Sequence, residues 1–262
     1  MENICAIRNL TKVFFVERTG EYVHALDRID LDLNRSEFLI LLGPSGCGKS
    51  TLLFMLSGLD HPTSGEITFT EKSHDNKRLT CTVFQEYALF PWRTVIDNVA
   101  FGPEMRRVRK RARYREAERY IELVNLTGFE TRFPNELSGG MRQRVALARA
   151  LANDPEVILF DEPLAALDAQ TRRVLQTELV SIWSKTKKTF VYVTHSLEEA
   201  VLLGERIVLM SSRPGRVKEI IDIADIPRPR STTNEREVKV LAMLAEHIAA
   251  EVDKSMRRER EL

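Results

Sequence analysis

One segment constrains the fold of this chain more than any other, because it matches the phosphate-binding pattern G-x-x-x-x-G-K-[ST]. Its members are Gly43, Pro44, Ser45, Gly46, Cys47, Gly48, Lys49, Ser50 and Thr51. It follows the apolar run 38–42 and precedes the helix-like run 52–56, which is the strand, loop and helix context that a P-loop requires. Glycines let backbone N–H groups converge on phosphate oxygens, while Lys49 adds a positive charge and Ser50 a hydroxyl placed for Mg²⁺. The segment therefore predicts a site for nucleotide phosphates.

Composition limits the class of protein. The chain has 262 residues, of which 43% are hydrophobic, enough for one large domain with a sizeable core. Its 39 basic and 38 acidic residues leave no overall electrostatic case for nucleic acid as a partner. No apolar run approaches the roughly 18 residues of a spanning helix, and the first residues do not resemble a secretory signal. We therefore expect neither export nor insertion into a membrane.

The cysteines indicate a reducing compartment. Cys5, Cys47 and Cys81 show no metal-ligand spacing, and their odd count is typical of a reducing cytosol. Because Cys47 lies inside the P-loop, we expect its alkylation to block nucleotide binding.

The apolar pattern changes along the chain in a way that predicts an α/β fold. Strand-like runs occur at 4–10, 23–33, 38–42, 65–69 and 78–84, with a hairpin turn predicted around His74, Asp75 and Asn76. Helical patterns occupy 94–153 and 171–187, and further strands are predicted at 157–160, 189–193, 206–210 and 216–223. The first helical stretch is predicted to be a lobe inserted into an α/β core.

Two adjacent acids end the apolar run 157–160. Neighbouring residues at a strand end point to different sides, so the carboxylates of Asp161 and Glu162 can do different work. Asp161 can hold the Mg²⁺ shell while Glu162 polarises an attacking water. A solvated turn would explain the pair equally well if it stood alone, but the upstream P-loop favours the catalytic interpretation.

A second candidate anion site lies at the segment Ser138, Gly139 and Gly140. Ser138 is a natural N-cap for the helical pattern that follows, and the start of such a helix attracts anions. Plain helix capping is the alternative interpretation, although two glycines after the cap are a poor way to begin a helix for stability alone. This segment has no lysine and no catalytic acids of its own. It would make sense if it faced the P-loop of another copy.

Six motifs in this order resemble the nucleotide-binding subunit of an ATP-binding cassette (ABC) transporter. They are the P-loop, Gln85, Leu137 to Gly140, Asp161 with Glu162, Ala166 to Asp168, and Thr194 with His195. The resemblance covers about residues 4–225. It implies an α/β fold with a P-loop NTPase core, an N-terminal antiparallel β subdomain and an inserted α-helical subdomain at about 94–153. The ATP-binding domain would occupy residues 1–230, followed by a charged helical tail at 231–262.

The resemblance also implies a role for each motif. ATP and Mg²⁺ would be the cofactors, bound between the P-loop of one copy and Ser138, Gly139 and Gly140 of the other in a head-to-tail dimer. Glu162 would be the catalytic base and His195 would contact the γ-phosphate. Gln85 would contact Mg²⁺ and the attacking water, and Asp168 would lie in the loop that links the two sites.

Partners and location follow from the same resemblance. It implies integral membrane permease subunits and, through them, a periplasmic or lipid-anchored solute-binding protein. The chain would be peripheral, on the cytoplasmic side of the inner membrane. Phe90 and Trp92 are candidates for the groove that meets the permease, with buried packing as the alternative.

An aromatic residue that stacks on adenine is expected near the end of the first strand, where Phe14 is the candidate and Phe15 its competitor. Met141 stands where many members carry glutamine, which removes a side-chain hydrogen bond but not the contacts expected of Ser138 and Gly140.

Finer similarities narrow the subfamily. The segments 89–95, 166–172 and 212–216, together with Met141, are similar to importers of nitrate, sulfonate, taurine and related small solutes. The alternative is a non-transport ABC ATPase of DNA repair or translation, whose coiled-coil or zinc insertions are not visible in this sequence.

Two further features leave alternatives open. The basic run 106–115 is predicted to be a solvated helix face. The alternatives are a contact for anionic lipid headgroups, for an acidic partner loop or, last, for nucleic acid. The tail presents Leu241, Ala245, Ile248 and Val252 at helical spacing, for packing on the core or on a dimer mate.

Overall fold

The structure is a computed structural model that describes residues 2–71 and 78–260, with side chains described up to Lys254. In chain order the strands are β1 (Asn3–Val16), β2 (Glu21–Asn34), β3 (Phe38–Leu42), β4 (Ser64–Phe69), β5 (Thr80–Val83), β6 (Val157–Asp161), β7 (Thr189–Thr194), β8 (Arg206–Met210) and β9 (Val217–Asp222). The α-helices are α1 (Lys49–Leu56), α2 (Val95–Val99), α3 (Phe101–Met105), α4 (Lys110–Leu123), α5 (Gly139–Ala152), α6 (Ala169–Thr186), α7 (Leu197–Leu203) and α8 (Glu235–Arg260). The hairpin turn predicted at 74–76 lies outside the described residues.

The chain divides into two compact units. The first contains Met1–Thr70 and Val191–Leu262, and the second contains Glu71–Phe190. Among the described helices, none combines the length and the apolar character needed to cross a membrane.

The first unit begins with an antiparallel sheet in the order β2-β1-β4. Ile7 of β1 is paired with Leu31 of β2 and with Ile67 of β4, so the central strand is bonded on both edges. Buried apolar residues recur along β1, which buries one face against the core. The strand is longer than predicted, because pairing with β2 continues to Val16 instead of ending near residue 10.

A second set of strands follows the order β7-β3-β8-β9, and it lies in the same unit apart from the first two residues of β7. All five residues of β3 are buried, as expected for a strand covered on both faces. β3 runs parallel to β8, with Leu42 opposite Leu209, and β9 pairs antiparallel at the edge. The P-loop follows directly from the end of β3, so the most buried strand positions it.

The second unit contains a parallel pair, β5 and β6, with Val83 opposite Phe160. Helices α2 to α5 follow β5 in the chain, in the stretch where the sequence predicts a helical lobe. α4 packs through buried Ala117 and Ile121, and α5 buries most of its residues. The limits of that lobe stay a prediction.

The tail forms one long helix, α8. In the part described up to Lys254 its fully buried residues are Glu237, Leu244 and Glu251, seven residues apart. Of the predicted contact residues, Leu241, Ile248 and Val252 are half-buried and Ala245 is exposed. Two of the three fully buried residues are carboxylates, which an apolar pattern cannot reveal. The tail packs within its own unit, as one of the two predicted alternatives required.

Candidate functional site

The P-loop has the backbone that its sequence predicts. Gly46 has a φ of 75° and Gly48 a φ of 98°, both in the left-handed region that favours glycine. A Cβ on Gly48 would also lie 2.7 Å from Leu26 Cδ2 and 2.9 Å from the Ala25 carbonyl oxygen. The turn into α1 therefore requires glycine at position 48 for both conformation and space.

The ammonium group of Lys49 lies inside the loop. Its Nζ donates hydrogen bonds to the carbonyl oxygens of Gly43 at 2.8 Å and Pro44 at 2.9 Å, and the residue is only 4% exposed. Ser45 and Gly46 at the tip are exposed, and Ser50 and Thr51 in the first turn of α1 are half-buried. A buried ammonium beneath an exposed glycine-rich tip at a helix N-terminus fits an anionic phosphate chain.

Cys47 is buried within the same loop. It is 1% exposed, and burial raises the pKa of its thiol despite the charge of nearby Lys49. Its Sγ lies 3.8 Å from Lys49 Nζ. Because the thiolate is the reactive form, the folded protein shields this cysteine from alkylation.

We therefore expect iodoacetamide to modify Cys47 slowly in the native protein and at least roughly tenfold faster in denaturant. Peptide mass spectrometry over a time course measures both rates. The denatured chain is the control, since it exposes the same thiol without its surroundings. Equal rates in the two states would show that the loop does not bury the thiol. The predicted loss of nucleotide binding therefore applies only to protein in which Cys47 has been completely alkylated.

His195 is placed by a buried hydrogen-bond cluster that the sequence analysis missed. His195 itself is exposed, in the turn between β7 and α7. Glu199 accepts hydrogen bonds from Thr194 Oγ1 at 2.7 Å and Tyr192 Oη at 3.1 Å, and the Ser196 N–H donates to Thr194 Oγ1 at 3.0 Å. These bonds hold the backbone on both sides of His195. The available signal was the S-x-x-E spacing of Ser196 and Glu199, typical of a capping box.

Phe14 and Phe15 are both exposed near the end of β1, at 39% and 56%. Lys12 Nζ lies 4.7 Å from the centroid of the Phe14 ring, and Phe15 packs against Tyr22 with ring centroids 5.2 Å apart. Adjacent residues of a strand point to opposite faces, so only one of the two can serve a given ligand. The choice of Phe14 stays a prediction.

The acid pair lies in the second unit, at the end of β6. Asp161 is the last residue of the strand, and Glu162 has a φ of 44°. A residue with a side chain costs about 1–3 kcal/mol in such a conformation, and strain of this kind concentrates at functional sites. Both acids are half-buried. A carboxylate such as Asp161 and a hydroxyl such as Ser50 are the oxygen ligands that Mg²⁺ prefers.

Ser138 caps α5 as predicted, because its Oγ accepts a hydrogen bond from the Met141 N–H at 3.3 Å. The two glycines that follow have a packing reason that the sequence did not reveal. A Cβ on Gly140 would lie 2.7 Å from Thr171 Cγ2, and one on Gly139 would lie 3.2 Å from Leu167 Cδ2. Gly140 therefore lets α5 approach α6 closely, and Gly139 makes room for Leu167 in the loop before α6. The exposed Ser138 remains available to a ligand.

Asp168 has a structural role besides its predicted one. It is the N-cap of α6, and its Oδ1 accepts a hydrogen bond from the Thr171 N–H at 2.9 Å. That N–H lowers the pKa of the carboxyl below its usual value. Asp168 is thus ionised and fixed at the start of the helix.

Gln85 is exposed and lies two residues beyond β5, which ends at Val83, one residue short of the predicted run 78–84. The loop after it is anchored by Arg149, which donates to the carbonyls of Tyr87 at 2.9 Å and Ala88 at 2.6 Å. Fully buried Asn98 accepts from the Phe90 N–H at 2.9 Å and donates to the Phe90 carbonyl at 3.1 Å.

Two aromatic residues of that loop differ in burial. Trp92 is 72% exposed, whereas half-buried Phe90 packs on Phe101 with ring centroids 4.5 Å apart. Trp92 is consequently the better candidate for a contact with another protein, and Phe90 the better candidate for packing.

The predicted site residues fall into two groups. Phe14, the P-loop and His195 belong to the first unit, and Gln85, Ser138 to Gly140, the acid pair and Asp168 belong to the second. The role of each residue stays a prediction.

Comparison with known proteins gives one consistent result. The family model described as ABC transporter matches residues 26–165. An uncharacterized ABC transporter ATP-binding protein of Methanocaldococcus jannaschii is 50% identical over 247 residues, which is 92% of this chain and 91% of the relative. The taurine import ATP-binding protein TauB of Rhizobium johnstonii is 46% identical, covering 89% of this chain and 90% of the relative. An aliphatic sulfonates import ATP-binding protein, SsuB of Bacillus cereus, is 43% identical, covering 87% and 89%.

A solved structure is also similar to this chain. The ATP-binding cassette MJ0796, in a dimeric post-hydrolysis state bound to ADP and Pi, matches with a TM-score of 0.72 and 32% identity over 84% of this chain and 99% of that one. The predicted ABC ATPase fold is thereby confirmed. The matched region includes the P-loop, Gln85, Ser138 and the acid pair, whose geometry is described above. The chain belongs to the ABC transporter family.

Proposed function

We propose that this chain is the ATP-hydrolysing subunit of an ABC importer for a small solute such as taurine, another sulfonate or nitrate. The observation that carries the proposal is the P-loop, in which buried Lys49 lies beneath an exposed glycine-rich tip. Relatives named as taurine and aliphatic sulfonate import ATP-binding proteins support the transport assignment. They do not favour the alternative of a non-transport ATPase.

In this proposal the P-loop binds the phosphates of ATP. Backbone N–H groups of the loop and the N-terminus of α1 meet the phosphate oxygens, and Lys49 offsets their charge. Phe14 stacks on the adenine. Ser50, Asp161 and Gln85 would hold Mg²⁺, which neutralises charge on the phosphates when bound.

Hydrolysis is assigned to Glu162 and His195. The Glu162 carboxylate accepts a proton from water as its oxygen attacks the γ-phosphorus, and the bond from that phosphorus to the bridging oxygen of ADP breaks. His195 donates a hydrogen bond to the γ-phosphate, from a backbone that Glu199 holds in place. The products are ADP and inorganic phosphate.

The second anion site implies a dimer. Ser138 and the start of α5 lack a lysine and catalytic acids, so we assign them to the ATP held by the P-loop of a second copy. The dimeric state of the MJ0796 cassette supports this arrangement. Asp168 would connect the two ATP sites. The closed dimer would act on permease subunits, through which it serves a solute-binding protein outside, so the chain would lie at the cytoplasmic face of the membrane.

Uptake measurements test the proposed function. Cells that lack this chain are expected to lose uptake of radiolabelled taurine, an alkanesulfonate or nitrate, and to regain it with the wild-type chain but not with Glu162→Gln. Co-purification of the tagged chain with a multi-spanning membrane protein provides the second measurement. Unchanged uptake of all three solutes, with no membrane protein bound, would contradict the proposal.

A further inference from the structure

A loop after β8, residues 211–216, lies directly against the P-loop. A Cβ on Gly215 would be 2.1 Å from the Cys47 carbonyl oxygen, so Gly215 touches the P-loop backbone itself. Gly215 is fixed to β2, because its N–H donates to the Ala25 carbonyl at 2.9 Å and its carbonyl accepts from the Asp27 N–H at 2.9 Å. Leu26, between those two residues, also fills the space beside Gly48. Leu26 and Gly215 together form the floor of the P-loop.

This loop is held closed by its own polar groups. The Ser211 N–H donates to the Arg216 carbonyl at 2.9 Å, and Ser211 Oγ accepts from the Arg216 N–H at 3.1 Å. The Arg216 guanidinium pairs with Asp27, with Nε 2.8 Å from Oδ2. A displacement at one end of so short a loop is therefore transmitted to Gly215.

The other contact of the loop is with the tail helix. Glu251 of α8 is 2% exposed, and its Oε2 accepts from the Ser212 N–H at 3.0 Å and from Ser212 Oγ at 3.3 Å. Its Oε1 lies 3.1 Å from the ammonium groups of both Lys218 and Lys254. Burial works against the charge, but these partners lower the pKa of Glu251 to about 2. The carboxylate is therefore ionised and fully partnered at neutral pH.

The helix is also anchored on the N-terminal side of this contact. Leu244, seven residues before Glu251, is completely buried, and His247 Nδ1 lies 2.9 Å from Glu219 Oε2 of β9. Loss of Glu251 would leave the buried Ser212 N–H without its acceptor, which costs more than the hydrogen bond itself contributes. Ser212 would have to move to find another acceptor.

We propose that Glu251 is a positioning residue for ATP binding, which holds the P-loop in shape through Ser212 and Gly215. The inference rests on the proposed role of the P-loop in binding ATP. The sequence segment 212–216, which the proposed function leaves without a task, thereby becomes the link between the tail helix and the nucleotide site. The P-loop contacts the phosphates of ATP in both the ground state and the transition state. Its distortion therefore weakens the binding of both states to the same degree.

The test compares Glu251→Ala with Glu246→Ala in the full-length chain. Glu246 lies on the same helix but is exposed. Glu246→Ala therefore removes the same kind of side chain without breaking a buried contact. Glu251→Ala is expected to raise the KM and the Kd for ATP roughly tenfold while kcat changes less than about twofold, the pattern of lost uniform binding. Amide hydrogen exchange of residues 44–49 is expected to quicken in this variant only.

If Glu251 served stability alone, Glu251→Ala would lower the melting temperature without changing the KM for ATP or the amide exchange of the P-loop. That result would overturn the inference. If Glu251→Ala fails to fold, Glu251→Gln, which keeps the side-chain volume, carries the same comparison. Wild-type protein without ATPase activity would contradict the proposed function, whereas an active wild type with an unchanged Glu251 variant would contradict this inference alone.

Discussion

Replacing Glu162 by glutamine is expected to lower ATP hydrolysis by about 10²- to 10⁴-fold, the usual contribution of a general base, while ATP still binds. Glutamine has the same size but cannot accept the proton of the attacking water. The backbone of Glu162, at a φ of 44°, is compatible with glutamine to the same degree as with glutamate, so the local fold is retained. Single-turnover hydrolysis and the Kd for a fluorescent ATP analogue separate the two effects.

A control for this prediction is Glu118→Gln, the same substitution at an exposed position of α4. It is expected to hydrolyse ATP at the wild-type rate. Robust turnover by Glu162→Gln would remove Glu162 from the role of base, and would leave Asp161 or His195 to be examined next.

Replacing Lys49 by methionine is expected to weaken ATP binding itself, by about 10- to 100-fold, because hydrogen bonds to a charged group contribute roughly 1.5–3 kcal/mol. Methionine keeps most of the side-chain volume in a position that is 4% exposed. It removes the ammonium that donates to the carbonyls of Gly43 and Pro44. Equilibrium titration with ATP measures the loss.

Lys185→Met is the matched control, because Lys185 is exposed at the end of α6. It is expected to bind ATP like the wild type. Circular dichroism checks that the Lys49 variant is folded. Wild-type affinity in a folded Lys49→Met variant would contradict the assignment of Lys49 to the phosphates.

The parts of the site that the sequence predicts best are those in which a motif dictates its own backbone. The positive φ of Gly48, the cap made by Ser138 and the strand end at Asp161 are local consequences of a few neighbouring residues. Patterns of this range are visible in one sequence. The α/β fold followed because buried parallel strands such as β3 are continuous apolar runs.

What the sequence could not predict depends on contacts between distant segments. Gly140 is required by Thr171 of α6, which no spacing reveals. Glu251 contacts Ser212, 39 positions earlier, and a buried carboxylate interrupts the apolar stripe by which a helix face is recognised. The predicted tail face therefore did not include Leu244 and Glu251, although three of its four residues are half-buried. Phe14 and Phe15 remained alternatives because exposure alone does not identify the ring that meets adenine.

The central claim is that the P-loop of one copy and Ser138 of another hold the same ATP. Ser138→Asp tests it, because aspartate is as good an N-cap as serine yet places a negative charge beside the phosphates. Ser138→Asn is the neutral control that also caps the helix.

The decisive measurement is the molar mass in solution of Glu162→Gln, with and without ATP, alone and combined with each change at Ser138. We expect ATP to double the mass of Glu162→Gln and of its Ser138→Asn form, whereas the Ser138→Asp form stays monomeric. A Glu162→Gln chain that stays monomeric with ATP bound, or a Ser138→Asp form that dimerises equally well, would contradict the account.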